Sequence, residues 1–167
     1  PVRMEAIARL LGVPAAGAND AFVLEAGCGD GGNLIPLAVA LPGSRFVGID
    51  LAASAIAKAR AGAVAAGVTN VRFETADLAA LPESLTGFDY VVAHGVYSWV
   101  PEPVRVALLE MLRERMAPHG IGFISYNALP GCHFRGAIRS MLLRHTAAIS
   151  NPAEKIPSRP VRTTTAP

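Results

Sequence analysis

Cysteine is scarce in this sequence, and apolar runs long enough to cross a membrane are absent. The chain of 167 residues has two cysteines, Cys28 and Cys132, which lie in different segments without a metal-ligand neighbour at useful spacing. We therefore expect two free thiols in a reducing compartment and no metal site. No apolar run approaches the ~20 residues of a membrane span, and Pro1 to Met4 begin no signal-peptide pattern. These absences predict a soluble, cytoplasmic protein without a membrane partner.

Charged residues are also sparse, at 17% of the chain, and their formal sum is only +2. So weak a balance gives no electrostatic reason to expect a nucleic acid or a membrane surface as the partner. Apolar residues make up 51% of the chain, which favours a packed core over disorder. The length suits a single domain.

Short apolar segments alternate with helical patterns along residues 1–150. The predicted strands are 21–25, 44–49, 71–75, 89–93 and 120–126. The predicted helices are 5–11, 33–41, 52–66, 103–116 and 134–149, and Pro36 is acceptable only in the first turn of its helix. This alternation predicts a Rossmann-like three-layer α/β/α sandwich over residues 1–150, with a mainly parallel sheet. The strand order that we expect for it is 3-2-1-4-5. Residues 151–167, rich in Pro, Thr and Arg, are expected to form an irregular or disordered tail.

A glycine-rich loop, residues 25–32, follows the first predicted strand. In sheets of this kind ligands bind beyond the carboxyl ends of the strands, near the first crossover, which is where this loop falls. Its glycines permit positive φ and close approach to a ligand, and a helix beginning near Asn33 offers N–H donors to an anion. The loop alone is ambiguous, because Gly27, Gly29 and Gly32 also have the dinucleotide G-x-G-x-x-G spacing. It is also consistent with a plain tight turn.

Three acidic residues favour a nucleoside site over a dinucleotide site. Glu25 precedes Gly27 by two residues, where a dinucleotide site usually has an apolar residue, and its carboxylate can attract an α-ammonium group. Asp50 ends the second strand, where a carboxylate can accept both hydroxyls of a ribose. Asp77 follows the third strand and can accept from an adenine amine, while Leu78 can offer its backbone N–H to a ring nitrogen. The alternative is that Asp50 and Asp77 merely cap a helix or a turn.

In these same segments the sequence resembles class I S-adenosylmethionine-dependent methyltransferases. The resemblance rests on residues 23–31 (VLEAGCGDG), 47–50 (VGID) and 76–78 (ADL). A narrower likeness, at residues 29–36, 93–101 and 125–131, is to bacterial methyltransferases that carry a methyltransferase regulatory domain further along the chain. The resemblance to class I methyltransferases implies S-adenosyl-L-methionine as the cofactor. The narrower likeness makes a protein lysine one candidate acceptor. The residues expected to bind the cofactor are Glu25, Gly27, Cys28, Gly29, Gly31, Asn33, Asp50, Leu51, Asp77, Leu78 and His94.

The sequence departs from that family near its end. A complete class I fold has two further strands in an antiparallel hairpin, and neither fits into the residues after Ile149. We therefore expect the hairpin strands to be missing and the cofactor-binding domain to be truncated. This leaves open a non-catalytic S-adenosylmethionine-binding module. An NAD-dependent oxidoreductase is a third alternative, although it does not explain Glu25 and Asp77 together.

The loop after the fourth predicted strand, residues 94–99, is expected to form the acceptor side of the site. His94 can take a proton from an incoming nucleophile, because a histidine side chain ordinarily has a pKa of about 6.5. Tyr97 and Trp99 can wall the cofactor or face the methyl group, whose partial positive charge suits an aromatic face. Trp99 can equally pack the start of the next helix. We predict His94 and Tyr97 as catalytic residues, with a protein or a small molecule favoured over a nucleic acid as the acceptor.

Overall fold

The computed structural model describes residues 1–148 of a chain that divides into two compact units, residues 1–126 and 127–167. The first unit contains the strands β1 (Phe22–Ala26), β2 (Arg45–Asp50), β3 (Val71–Thr75), β4 (Phe88–Ala93) and β5 (Met116–Ile124). It also contains the helices α1 (Val2–Leu10), α2 (Leu34–Ala40), α3 (Ala53–Ala65) and α4 (Glu102–Arg115). The second unit contains α5 (His133–His145). The expected tail, residues 151–167, lies outside the described residues.

The five strands form one parallel sheet in the order β3-β2-β1-β4-β5. This result confirms the predicted fold class and strand order. The chain first moves from β1 outward to β2 and β3, and it then returns to place β4 on the other side of β1. The carboxyl ends of β1 and β4 therefore border the point where the direction of winding reverses. In open α/β sheets that point is where ligands bind.

Two apolar cores cover the two faces of the sheet, because side chains alternate in direction along each strand. One core joins Val23 and Phe46 to helices α2 and α3. The other joins Leu24 and Val47 to Leu108 of α4. Each of these five side chains is at most 1% exposed, and burial of one such side chain stabilises the fold by about 1.5–3 kcal/mol. Helices on both faces make the predicted three layers.

The connections between α2, β2 and β3 are fixed by polar contacts. Pro36 lies in the first turn of α2, as predicted. Proline has no backbone N–H, and an N–H in the first turn would have no acceptor within the helix, so nothing is lost there. The side-chain amide nitrogen of Asn70 approaches three backbone carbonyl oxygens, those of Ala38, Leu41 and Ser44, at 2.9–3.1 Å. The Asn70 side chain therefore ties the turn after α2 to the start of β3, and its N–H groups are fully used.

The predicted boundary between α4 and β5 is wrong. The sequence indicated a helix to Met116 and a strand from Gly120, whereas α4 ends at Arg115 and β5 begins at Met116. Pro118 and Gly120 indicated a break in the chain, but β5 is an edge strand among residues 1–148, and proline is tolerated at an edge. The extra length is absorbed by a register shift, because Phe88 pairs with Met116 while Tyr90 pairs with Ile121.

The second unit consists, within the described residues, of a loop and helix α5. The helix ends at His145, four residues before the predicted end at Ile149. Its predicted apolar stripe is exposed, with Phe134, Ile138, Met141 and Leu142 between 41% and 75% accessible. No helix within residues 1–148 has the length and apolar character needed to span a membrane.

Candidate functional site

A cavity of about 510 Å³ opens at the carboxyl edge of the sheet, in the first unit. Its floor is formed by the ends of β1, β2 and β3, where Gly27, Asp50 and Asp77 lie. Its opposite wall belongs to the segment between β4 and α4 and to the first turn of α4, and it is largely apolar. The wall residues are Val96, Trp99, Val100, Pro101 and Val104. The volume falls in the range typical of small-molecule sites.

The glycine loop is held against β2 by backbone hydrogen bonds. The N–H groups of Gly27 and Cys28 both donate to the carbonyl oxygen of Ile49, at 2.8 and 3.0 Å. Gly27 has a φ of +73°, a conformation that L side chains rarely adopt. A Cβ at this position would also lie 2.4 Å from Cγ2 of Val96. The loop therefore needs glycine at position 27 for two separate reasons.

Asp50 links the glycine loop to the start of α3. Its Oδ2 accepts a hydrogen bond of 2.9 Å from the N–H of Gly29, and its Oδ1 accepts one of 2.9 Å from the N–H of Ala52. Each carboxylate oxygen has two lone pairs, so each can accept a second hydrogen bond from a ligand. Asp50 thus has the turn-capping role considered in the sequence analysis and also lines the cavity.

Asp77 combines the same two roles on the next strand. Its Oδ1 accepts a hydrogen bond of 2.9 Å from the N–H of Ala79, which caps the short 3₁₀ turn Leu78–Ala80. Asp77 is exposed and lines the cavity together with Leu78 and Trp99. Capping fixes the direction of the Asp77 side chain and leaves its second oxygen available.

Glu25 is buried at the end of β1, with only 5% of its surface exposed. The side-chain amide of Asn33 donates a 3.0 Å hydrogen bond to Oε1 of Glu25. The other oxygen, Oε2, has no hydrogen-bond partner among the described residues. Burial raises the pKa of this carboxyl group above its ordinary value, and the Asn33 hydrogen bond only partly opposes that rise. A buried carboxylate with an unused oxygen is suited to a cationic partner.

The layer beneath the loop was not predicted from the sequence. The ring of Phe73 lies so close to Gly31 and Gly48 that a Cβ at either position would approach it within 2.6–2.8 Å. The thiol of Cys28 is packed in the same place, 2.8 Å from a Cβ built at Gly48. Burial, followed by the negative charges of Asp50 and Glu25, raises the pKa of the Cys28 thiol to about 12. Cys28 is therefore a packed, neutral thiol.

The two predicted catalytic residues lie beside the cavity. His94 is exposed at the end of β4, with its ring centroid 6.2 Å from that of Phe123 on β5. The Tyr97 ring lies 6.4 Å from the ring of Tyr126 and 5.9 Å from the guanidinium carbon of Arg105. Neither His94 nor Tyr97 is among the residues that line the cavity.

The structure thus brings most of the predicted cofactor residues to one edge. The cavity lining includes Gly27, Asp50, Leu51, Asp77 and Leu78. The hydrogen bonds just described join Gly29 to Asp50 and Asn33 to Glu25, and Cys28 and Gly31 pack beneath the same loop. The lining residues missed by the sequence analysis are apolar or small: Ile49, Ala76, Gly95, Val96, Val100, Pro101 and Val104. The apolar run after β4 was the available signal for the wall.

The cavity is lined by acidic and apolar residues. Among residues 1–148, the ionisable lining residues are Asp50 and Asp77, and no lysine, arginine or histidine lines the cavity. Hydrogen-bond acceptors on one side and an apolar wall on the other suit a nucleoside, and the buried Glu25 beneath the loop suits an attached cation. Within residues 1–148, no three histidine, cysteine, aspartate or glutamate side chains gather as metal ligands.

The fold and the site define a class I methyltransferase domain. The sequence model of a methyltransferase domain family matches residues 23–120, more than half of the chain, and the chain belongs to this family. S-adenosylmethionine is the cofactor, as predicted, and the orphaned oxygen of Glu25 together with the acids at the cavity fits this cationic nucleoside. The dehydrogenase alternative is therefore set aside.

The chain is also similar to individual known proteins and structures. The chain is 37% identical, over 93% of its length, to uncharacterised protein RP789 of Rickettsia prowazekii, and it spans 28% of that protein. It resembles the structure of PKMT2 from Rickettsia typhi in complex with AdoHcy with a TM-score of 0.82 and 36% identity, covering 90% of this chain and 29% of that one. It is also 34% identical, over 60% of its length, to the trans-aconitate 2-methyltransferase of Deinococcus radiodurans, of which it spans 36%. The chain thus spans about a third or less of the length of these relatives.

Proposed function

We propose that this chain is the cofactor-binding part of an enzyme that transfers a methyl group from S-adenosylmethionine to a protein lysine. The observation that carries the methyl transfer is the acidic cavity at the winding reversal, with the buried Glu25 under its glycine loop. Two features support a side chain of a protein as the acceptor. The first is the likeness of residues 93–101 and 125–131 to bacterial methyltransferases, some relatives of which methylate protein lysines. The second is the exposure of Trp99, which lines the cavity, and of Tyr126, which lies against Tyr97, at 57% and 67%. An open rim of this kind can admit a macromolecule.

Each cofactor group has a matching residue in this proposal. Asp50 accepts hydrogen bonds from the two ribose hydroxyls, and Asp77 accepts one from the adenine amine while Leu78 donates its N–H to the ring. The carboxylate of Glu25 attracts the α-ammonium group. The N–H groups at the start of α2 can donate to the cofactor carboxylate.

The cofactor supplies a methyl group on a positively charged sulfur, which a nucleophile displaces in line. The neutral amine of the acceptor forms a bond to the methyl carbon as the carbon–sulfur bond breaks, and the sulfur leaves as a neutral thioether. The amine proton passes to a base, for which His94 is the candidate at the end of β4. The apolar wall from Val96 to Val104 excludes water from one side of the cavity, and Tyr97 borders the acceptor path.

A non-catalytic binding module is the second candidate function. The observation that favours it is the position of His94 and Tyr97, which do not line the cavity. A small carboxylic acid as the acceptor is an alternative within the first function, since one relative is a trans-aconitate 2-methyltransferase. We also propose a cytoplasmic location, in keeping with the two free thiols of Cys28 and Cys132.

Calorimetry with S-adenosylhomocysteine tests the site. We expect Asp50→Ala to weaken binding by about tenfold to a hundredfold, since it removes two acceptors for ribose hydroxyls and the partner of the Gly29 N–H. Asp20→Ala, at an exposed carboxylate in the 3₁₀ turn Ala18–Asp20, is the matched control and leaves binding unchanged. Equal affinities in both variants would exclude the proposed ribose contact.

Transfer of a labelled methyl group separates the candidate functions. With the label on the cofactor and a cell extract as the acceptor source, we expect label in protein, on lysine after hydrolysis. Label in a small organic acid would replace the protein acceptor. Tight cofactor binding without transfer to any fraction would support the non-catalytic module.

A further inference from the structure

A second cavity, of about 560 Å³, lies at the opposite edge of the sheet. It is formed by the amino ends of β1, β2 and β3 and by the loop that leads into β4. Within the described part of the chain, its ionisable lining residues are Arg45 and Arg72, and no aspartate or glutamate lines it. The remaining polar lining residues are Thr69, Asn70, Ser84 and Thr86. This cavity is separate from the cofactor cavity, which shares none of these residues.

Arg45 is held in place without a carboxylate partner. Its guanidinium carbon lies 4.5 Å from the centre of the Phe22 ring, and that ring packs on Phe88, with the two centroids 4.5 Å apart. No acidic side chain forms an ion pair with Arg45 anywhere in residues 1–148. Stacking uses the face of the guanidinium group and leaves its N–H edge for an acceptor. Since Phe88 is fully buried, the stack rests on the core.

Arg72 lies on the same face of the sheet as Arg45. Val47 pairs with Arg72 in the parallel ladder, and Arg45 precedes Val47 by two residues, so the three side chains leave the sheet in the same direction. The Nε of Arg72 contacts a carboxylate oxygen of Glu74 at 3.2 Å. This ion pair leaves the terminal nitrogens of Arg72 available.

Three hydroxyl groups complete the set of donors. Thr69, Ser84 and Thr86 line the cavity and are exposed, and within residues 1–148 their side chains form no hydrogen bond. The amide of Asn70, in contrast, is fully used on backbone carbonyls. Two guanidinium groups and three free hydroxyls, with no acid in the lining, are the donor set that a phosphate group accepts from.

We propose that this cavity binds a phosphate group carried by a small molecule, with Arg45 as its bidentate partner and Arg72 as the second cation. The hydroxyls of Thr69, Ser84 and Thr86 donate to the remaining phosphate oxygens. The volume exceeds what a bare phosphate needs, and the additional space takes the organic part of the ligand. This proposal does not depend on the methyl acceptor, because the two cavities are formed by different residues.

Titration calorimetry with three probes tests the site: inorganic phosphate, ribose 5-phosphate and ribose. We expect the two phosphates to bind and ribose not to bind. Tighter binding of ribose 5-phosphate than of inorganic phosphate identifies an organic phosphate as the ligand, and equal affinities identify the free anion. An absence of phosphate binding at millimolar concentrations would overturn the proposal.

Matched arginine variants locate the binding. Arg45→Gln is expected to weaken phosphate binding about tenfold, because charge-assisted hydrogen bonds are lost. Arg113→Gln removes the same charge from an exposed position on α4 and is expected to leave the affinity unchanged. S-adenosylhomocysteine affinity and the thermal unfolding temperature serve as fold controls and stay constant in both variants. An equal loss of phosphate binding in the two variants would show unspecific attraction and contradict the assignment.

Discussion

The two cavities of the first unit have similar volumes and opposite charge. The carboxyl edge of the sheet is lined by Asp50 and Asp77 without any basic residue, and the amino edge is lined by Arg45 and Arg72 without any acidic residue. The chain as a whole has a formal charge of only +2, so its composition conceals this separation. The charge of such a domain therefore has to be assessed separately at each edge of the sheet, because the two ends of parallel strands lie at opposite edges.

The edges also differ in how their polar groups are used. At the carboxyl edge, Asp50 and Asp77 accept backbone hydrogen bonds that fix their direction before any ligand binds. At the amino edge, Arg45 is fixed by ring stacking, and its hydrogen-bond donors stay unused. Both arrangements preorganise charge, which lowers the entropic cost of binding. Substitutions at Gly27, Glu25 and His94 are expected to affect S-adenosylhomocysteine binding at the first edge to a decreasing extent.

Substitution at Gly27 is expected to close the acidic cavity and to leave the basic one intact. In Gly27→Ala, the new Cβ combines an unfavourable φ of +73° with an overlap on Val96. Strain and overpacking together should destabilise the fold by about 2–5 kcal/mol. We expect S-adenosylhomocysteine binding to be lost in calorimetry and ribose 5-phosphate binding to persist.

A matched substitution separates the two causes at Gly27. Gly67 has a φ of +66° but nothing within 4 Å of its added Cβ, so Gly67→Ala should cost only about 1–2 kcal/mol in urea unfolding and leave the cofactor affinity unchanged. The double variant Gly27→Ala with Val96→Ala should recover part of the stability. An absence of recovery would mean that the overlap with Val96 is unimportant.

Glu25→Gln is expected to weaken S-adenosylhomocysteine binding about tenfold, since an amide cannot pair with the α-ammonium group as a carboxylate does. Burial holds the pKa of Glu25 above its ordinary 4.5. The affinity of the wild type for S-adenosylhomocysteine should therefore rise with pH as the carboxyl group of Glu25 loses its proton. The affinity of the variant should not change over the same pH range. Parallel pH profiles for the two proteins would rule out the ammonium contact.

The stability of the free protein should respond to pH with the opposite sign. A carboxyl group with a raised pKa favours the folded state below pH 4.5, and that contribution is lost as pH rises through the pKa of the folded form. Glu25→Gln removes this loss, so the free variant should unfold at a higher temperature than the wild type at neutral pH. A lower unfolding temperature would mean that the charged Glu25 has a stabilising partner within the protein.

His94→Gln is expected to have the smallest effect on cofactor affinity, within about twofold, and to slow methyl transfer by about a hundredfold if His94 acts as the base. The reason is its exposed position outside the cavity lining. Tyr97→Phe serves as the companion variant, because it retains the ring that faces Arg105 and Tyr126. A loss of S-adenosylhomocysteine affinity in His94→Gln would instead support the predicted cofactor-binding role of His94.

The features that could be predicted from the sequence are those that depend on short segments of it. Glycines after an apolar strand and acids at strand ends predicted the floor of the cavity, and the alternation of elements predicted a parallel sheet with helices on both faces. The start of β5 could not be predicted, because Pro118 disfavours a strand interior and becomes acceptable only at an edge. Whether a strand is at an edge is a property of the whole sheet.

The cavity wall and the underlying layer could not be predicted for a related reason. Val96 meets Gly27, and Phe73 meets Gly31, across 69 and 42 residues of chain, respectively. No local pattern encodes such contacts, since they depend on how β3 and β4 flank β1 and β2. The amino-edge cavity was missed because Arg45 and Arg72 are ordinary surface residues in the sequence, and only the strand register brings them together.

The reactivity of Cys28, which is packed beneath the glycine loop, can report how often that loop opens. Burial raises the pKa of this thiol to about 12, so the neutral form predominates at neutral pH, and we expect an alkylating reagent to react mainly when the loop opens and exposes the sulfur. Cys132, which is less buried, provides an internal reference in the same reaction. The ratio of the two labelling rates therefore measures how often the loop opens, and a bound nucleoside should lower that ratio without any engineered probe.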